Sequence, residues 1–288
     1  MDERLQQLID HAERLLTRLE AVLPPVPRAP DWSASIAFRY RRRSTGAQLE
    51  PVKHVFDIRL SHLKEIDAQM ERLRRNTEQF VSGRPANNVL LTGARGTGKS
   101  SLIKACLHEF AQRGLRLIEV DKSDLIELPD LVELVANRPE RFIVFCDDLS
   151  FDEGEPGYKA LKSVLDGSVA AAGDNLLIYA TSNRRHLMPE HMSDNLETKY
   201  VDDEIHPGET VEEKISLSER FGLWVSFYPF DQDEYMEIVA QWLKSFDCAS
   251  NAKTTEEALQ WALQRGSRSG RVAYQFARDW AGRHSKKR

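Results

Sequence analysis

"LLTGARGTGKSS", residues 90–101, decides how the rest of this chain is read. Gly93-Ala94-Arg95-Gly96-Thr97-Gly98-Lys99-Ser100 satisfies the spacing G-x-x-x-x-G-K-[ST], followed by Ser101. The apolar "NVLL" before it reads as a short buried strand, and "KSSLIKACLHEFAQRG" after it as a helix. A glycine-rich loop between these elements can wrap closely round a phosphate. Successive N–H groups and the helix N-terminus then point at the anion. Lys99 would reach the β- and γ-phosphates, and the Ser100 hydroxyl would ligate Mg²⁺. Residues 93–101 are therefore the candidate nucleotide-binding residues, with ATP and Mg²⁺ as the expected ligands.

Outward from the loop, strands and helices alternate. Residues 57–82 read mostly as helix. Apolar runs at 115–121, 141–148, 175–183 and 223–230 read as strands, with "LPDLVELVAN" and "YKALKSVLDG" as helices among them. Strands covered by helices on both faces imply an α/β sandwich built on a parallel sheet. Everything after Asp231 is helical in pattern, at about 231–246, 254–265 and 269–283. The expected organisation has three parts. Residues 1–30 form an N-terminal amphipathic helix and proline-rich linker. Residues 31–230 form an α/β P-loop domain, and 231–288 a small all-α lid domain.

Within the first part, apolar residues of 2–23 line one helical stripe, and "PPVPRAP" (24–30) stops it. A helix packed on its own domain and a partner-docking helix on a stiff tether both fit this pattern. "AFRYRRRSTG" (37–46) interleaves aromatic and basic residues. That composition suits nucleic-acid contact, and equally a solvated strand edge guarded by cations. The acidic stretch 192–214, "MSDNLETKYVDDEIHPGETVEEK", has little apolar periodicity and reads as an exposed excursion.

The 288 residues carry 40 basic and 45 acidic side chains, a formal net charge of −5. This balance lacks the global basic bias of an obligate nucleic-acid binder. No apolar run approaches the ~18 residues a membrane span needs, and the charged N-terminus has no signal-peptide core. Three isolated cysteines, Cys106, Cys146 and Cys248, form no metal or disulfide pattern. A cytoplasmic setting is expected.

A magnesium site needs a second anchor, and "FIVFCDD" supplies one: a buried strand ending in Asp147-Asp148. Asp147 would hold the metal, mainly through water. Asp148 would polarise the attacking water, with Asp152 and Glu153 nearby as alternative bases. "LLIYATSN" ends a further strand in Thr181, Ser182 and Asn183. If that strand neighbours the Asp147 strand, Asn183 would orient the water.

Together these residues, "SERF" at 218–221 and the helical C-terminus stand in the order found in the AAA+ ATPases, and the chain resembles them. The resemblance is closest to the bacterial replication-initiator and helicase-loader clade. Over nearly its whole length the chain also resembles an uncharacterised bacterial AAA+ family of unknown function, through "ANNVLLTGARGTGKSSLIKA", "RFIVFCDDLSF", "YATSNRRHL" and "SLSERFGLW". The resemblance implies a sensor role for Asn183 and a second one for Arg271. It implies that Arg220 is an arginine finger inserted into a neighbouring subunit's nucleotide. It places an adenine pocket near Ile58–Leu63. It also implies a homo-oligomer when ATP is bound, and a macromolecular partner, protein or nucleic acid, to be switched or remodelled. Aspartate at 148 is one methylene shorter than the glutamate of most AAA+ motors, which implies slow hydrolysis. A P-loop kinase of a small molecule and a non-hydrolysing ATP-binding module are the alternative readings.

Overall fold

The computed structural model describes residues 4, 11–14, 18, 30–43, 46–151, 155–167, 174–184, 187, 199–201, 204–206 and 217–284. Most of the expected N-terminal helix, most of the acidic stretch, Asp152 and Glu153 lie outside the described residues.

The strands are β1 (Ala37–Arg43), β2 (Gly46–Pro51), β3 (Val89–Gly93), β4 (Leu115–Val120), β5 (Arg141–Cys146), β6 (Leu176–Ser182), β7 (Lys199–Val201), β8 (Glu204–His206) and β9 (Leu223–Phe227). The α-helices are α1 (Asp67–Val81), α2 (Lys99–Phe110), α3 (Leu128–Val135), α4 (Pro156–Leu165), α5 (Gln232–Ser245), α6 (Ala252–Arg265) and α7 (Gly270–His284). Seven strands form one sheet in the order β2-β1-β4-β5-β6-β3-β9, and β7 pairs with β8 alone. All neighbours in the large sheet are parallel except β1 and β2.

Strand side chains alternate between faces, and here both faces are dry. Val89 and Leu91 of β3, with Ile143 and Phe145 of β5, join the core beneath α1 and α2. Leu90, Val144 and Ile178 join the opposite core beneath α3 and α4. The first core continues without a break into the C-terminal helices through Tyr235, Ile238, Val239, Phe276 and Trp280. Those helices are thus fastened to the P-loop side of the sheet by shared apolar burial. Asp231 and Asn251 cap α5 and α6, each accepting from the backbone N–H three residues on.

Two stretches differ from their sequence pattern. Residues 57–66 are not helical beyond the short 3₁₀ turn Leu60–His62. Glu65 adopts φ 61°, which breaks the helix before Asp67. The segment instead buries Ile58, Leu63 and Ile66 against the P-loop side of the molecule, so tertiary burial overrides local propensity. The arginine-rich run at 37–43 is a strand, yet not an edge: β1 lies between β2 and β4. Arg39 donates twice to Glu119 Oε2, at 3.0 and 2.8 Å. Arg42 Nε lies 3.0 Å from Glu127 Oε1, and Tyr40 Oη donates to Glu127 Oε2 at 2.9 Å. Two arginines of the run are thereby matched by carboxylates of this chain.

One buried polar cluster ties the helix layer to the sheet. Asn76 Nδ2 on α1 donates to Tyr179 Oη of β6 at 3.1 Å and to the Asn87 carbonyl at 2.9 Å. Thr77 Oγ1 shares a 2.9 Å hydrogen bond with the same phenol. Tyr179→Phe removes the shared oxygen and leaves its neighbours bonded elsewhere. The expected cost is about 1–2 kcal/mol, read as a lower denaturation midpoint at unchanged m. An unchanged midpoint would mean the cluster adds nothing to stability.

Candidate nucleotide site

Sheet register brings the candidate residues together. Thr92 pairs with Ser182, so Gly93 and Asn183 follow side by side at the strand ends. Cys146 pairs with Ala180, so Asp147 meets Thr181. The carboxyl ends of β3, β5 and β6 thus converge, the edge at which open α/β sheets bind ligands.

The loop from Gly93 to Gly98 needs its glycines. Gly93, Gly96 and Gly98 have φ of 123°, 75° and 99°. A Cβ at Gly93 would fall 1.9 Å from the Phe227 carbonyl oxygen, so β9 approaches too closely for any side chain. The loop turns directly into α2 at Lys99, which presents the helix N-terminus to the cleft. The Lys99 side chain curls back under the loop. Its Nζ donates to the carbonyls of Gly93 (2.8 Å) and Ala94 (2.7 Å) and to Asn183 Oδ1 (3.2 Å). Burial lowers its pKa, against the opposing pull of Asp147 and Asp148.

Asp147 Oδ1 accepts from Ser100 Oγ and from Thr181 Oγ1, each at 2.6 Å. Asp148 sits in the left-handed region, φ 51°, where its backbone N–H donates to Thr181 Oγ1 at 2.9 Å. Asn183 Nδ2 donates to Asp148 Oδ1. Arg95 Nη2 lies 3.9 Å from Asp148 Oδ2. Ser100 and Asp147 together offer the hard oxygen donors that suit Mg²⁺, which takes one or two carboxylates and completes its shell with phosphate and water. Among the described residues no cluster of three or more His, Cys, Asp or Glu could hold a metal. The Ser100–Asp147 pair is the donor set that would fit Mg²⁺ shared with phosphate oxygens.

These groups open onto a cleft of about 490 Å³ between the loop, the 56–66 segment and the C-terminal helices. Arg95 through Ser101, Asp147, Asp148, Thr181 and Asn183 line its polar end. Gly93 and Ala94 do not line it; they turn their carbonyls to Lys99. Ile58, Leu63 and Ile66 line the apolar end, opposite Phe230, Ile238, Trp242 and Tyr274. Trp242 meets Tyr274 edge-on at 4.8 Å between centroids and lies 5.8 Å from the His62 ring. The expected adenine stretch 58–63 therefore does border the cleft. Its aromatic wall on α5 and α7 comes from Trp242 and Tyr274, which no motif in the sequence singles out. Arg271 lines the cleft, and its backbone N–H lies 3.4 Å from the Gly96 carbonyl. Arg220 stands elsewhere: it follows the helical turn 217–219, and its Nε donates to Asp166 at the end of α4. It does not border its own cleft.

The family model described as "Protein of unknown function (DUF815)" matches residues 33–284. No curated protein matches the chain. Among solved structures, a point mutant of Thermotoga maritima RuvB is similar at TM-score 0.52 and 15% identity, covering 78% of this chain and 64% of that one. Aeropyrum pernix ORC1 in complex with DNA is similar at TM-score 0.53 and 17% identity, covering 78% of this chain and 62% of that one. The chain thus spans less than two thirds of the length of either structure. The fold they share is that of the AAA+ ATPases.

Proposed function

Because the chain belongs to the DUF815 family and has an AAA+ fold, we propose that it binds and hydrolyses ATP and uses the cycle to switch or remodel a macromolecular partner. The single observation that carries this is the convergence of Lys99, the Ser100–Asp147 pair and the Asp148–Asn183 pair at one end of the cleft.

In this reading the apolar end takes the adenine, among Ile58, Leu63 and Trp242. The loop N–H groups and Lys99 hold the β- and γ-phosphates. A Mg²⁺ ion at Ser100 and Asp147 would neutralise phosphate charge. Asp148 accepts a proton from the attacking water, and Asn183 fixes the water's direction. Arg271 brings a permanent charge to the cleft from the first turn of α7, which links the C-terminal helices to the nucleotide. Arg220, which does not line its own cleft, serves a neighbouring subunit in an ATP-dependent homo-oligomer.

The partner is proposed as protein or nucleic acid in the cytoplasm. Similarity to ORC1 solved with DNA makes DNA the first to test. Arg39 and Arg42 of β1 are already engaged by Glu119 and Glu127 of this chain. No described helix is long and apolar enough to cross a membrane.

The test is nucleotide binding by calorimetric titration. Lys99→Ala removes the cation beneath the phosphates and is expected to weaken ATP binding at least about tenfold, ~1.4 kcal/mol. Unchanged affinity would remove the P-loop from this reading.

A further inference from the structure

Arg95 stands at the crest of the glycine loop with its side chain 76% exposed, on the cleft side. Its guanidinium is 3.9 Å from Asp148 Oδ2, at the outer limit of an ion pair. Both partners are well exposed, so water screens the contact and it holds weakly. The other oxygen of Asp148 accepts from Asn183, whose own amide oxygen accepts from Lys99 at 3.2 Å. A chain of polar contacts therefore runs Lys99–Asn183–Asp148–Arg95, from the floor of the loop to its crest.

A diphosphate cradled by the loop reaches Lys99 and the Ser100–Asp147 pair. A third phosphoryl group would extend toward the polar residues of this chain, next to the Asp148 carboxylate. Two anions so placed repel each other unless a cation stands between them. Lys99 approaches from the floor of the loop, and Arg95 is the cation that stands beside Asp148 at its crest. A terminal phosphate offers it more charge and three oxygens to match its planar fork, against one screened carboxylate oxygen.

From this geometry we infer that Arg95 reads the terminal phosphate: its guanidinium leaves Asp148 for the γ-phosphate when the triphosphate binds, and returns to Asp148 when the diphosphate remains. The inference rests on the ATPase reading above and deepens it. It gives the cleft its discrimination between triphosphate and diphosphate, and does so within one subunit. It also links that discrimination to the base. Asp148 Oδ2 is released to accept a proton only when a γ-phosphate is there to be attacked.

The experiment titrates the whole chain with Mg²⁺ and either the non-hydrolysable β,γ-imido analogue of ATP or ADP. Arg95→Ala is expected to weaken the analogue at least about tenfold (~1.4 kcal/mol) while ADP affinity stays within about threefold. Arg95→Lys keeps the charge and loses the fork, so its loss for the analogue should be smaller. Lys99→Ala should weaken both nucleotides. An exposed crest residue supports no core, so circular dichroism and melting of Arg95→Ala should match the unmutated protein. Equal losses for both nucleotides, or no loss for either, overturn the role of Arg95 and leave the ATPase reading intact. No binding of either nucleotide by the unmutated protein overturns both.

Discussion

Mg²⁺–ATP held by the Asp148→Asn variant is expected to be hydrolysed about 10²–10⁴-fold more slowly than by the unmutated protein, with affinity nearly unchanged. The substitution is chosen for its backbone as much as its chemistry. Asp148 has φ 51°, a region that asparagine enters at least as readily as aspartate, whereas a β-branched residue would strain the turn. Its backbone N–H keeps Thr181 Oγ1, and Thr181 keeps Asp147. The metal-side donors therefore stay in place. What is lost is the capacity to accept a proton from water, because an amide is not a base at neutral pH. Steady-state phosphate release measures the rate, and titration with ATP measures the affinity. Turnover at the unmutated rate would place the base elsewhere, with Glu153 the first residue to replace.

Arg220→Ala is expected to bind ATP normally and to lose at least about tenfold in turnover, because the finger would act only across a subunit boundary. Arginine fingers contribute roughly 10³–10⁵ in rate in other phosphoryl-transfer enzymes, so that demand is cautious. In the single chain, Arg220 is engaged with Asp166 at the end of α4 and lies outside its own cleft. Its side chain is 25% exposed there. Mixing gives the sharper result. Asp148→Asn subunits bind ATP and keep their finger; Arg220→Ala subunits keep their base. Combined, the two slow variants should regain part of the activity, and the unmutated protein's specific activity should rise with concentration as subunits meet. A mixture no faster than its components, with concentration-independent activity in the unmutated protein, would falsify the shared site and leave a self-sufficient monomer.

Local pattern was enough for the loop at 93–101, for the apolar strands before Asp147 and Asn183, and for the three C-terminal helices. A phosphate loop is a contiguous spacing of residues. A buried strand is a short unbroken apolar run, and an amphipathic helix repeats every three to four residues. Each signal is complete within about ten positions. The sequence leaves conditional whether Asn183 lies beside the Asp147-Asp148 strand, and the β5–β6 pairing brings Asn183 to Asp148, 35 residues away along the chain.

Sequence by itself thus determined the fold class and the polar end of the cleft. Tertiary structure alone decided the rest. It unwound residues 57–66 from their helical pattern so that Ile58, Leu63 and Ile66 could be buried. It gave β1 two neighbours and matched its arginines to Glu119 and Glu127. It set Trp242 and Tyr274 across the cleft from the 56–66 segment, and put Arg220 against Asp166. It also brought the Arg95 side chain to Asp148, 53 positions along the chain. The reason is the same throughout. These partners lie far apart along the chain, and what joins them is burial of apolar surface and compensation of charge. The periodicity within one segment does not say which distant segment it will meet.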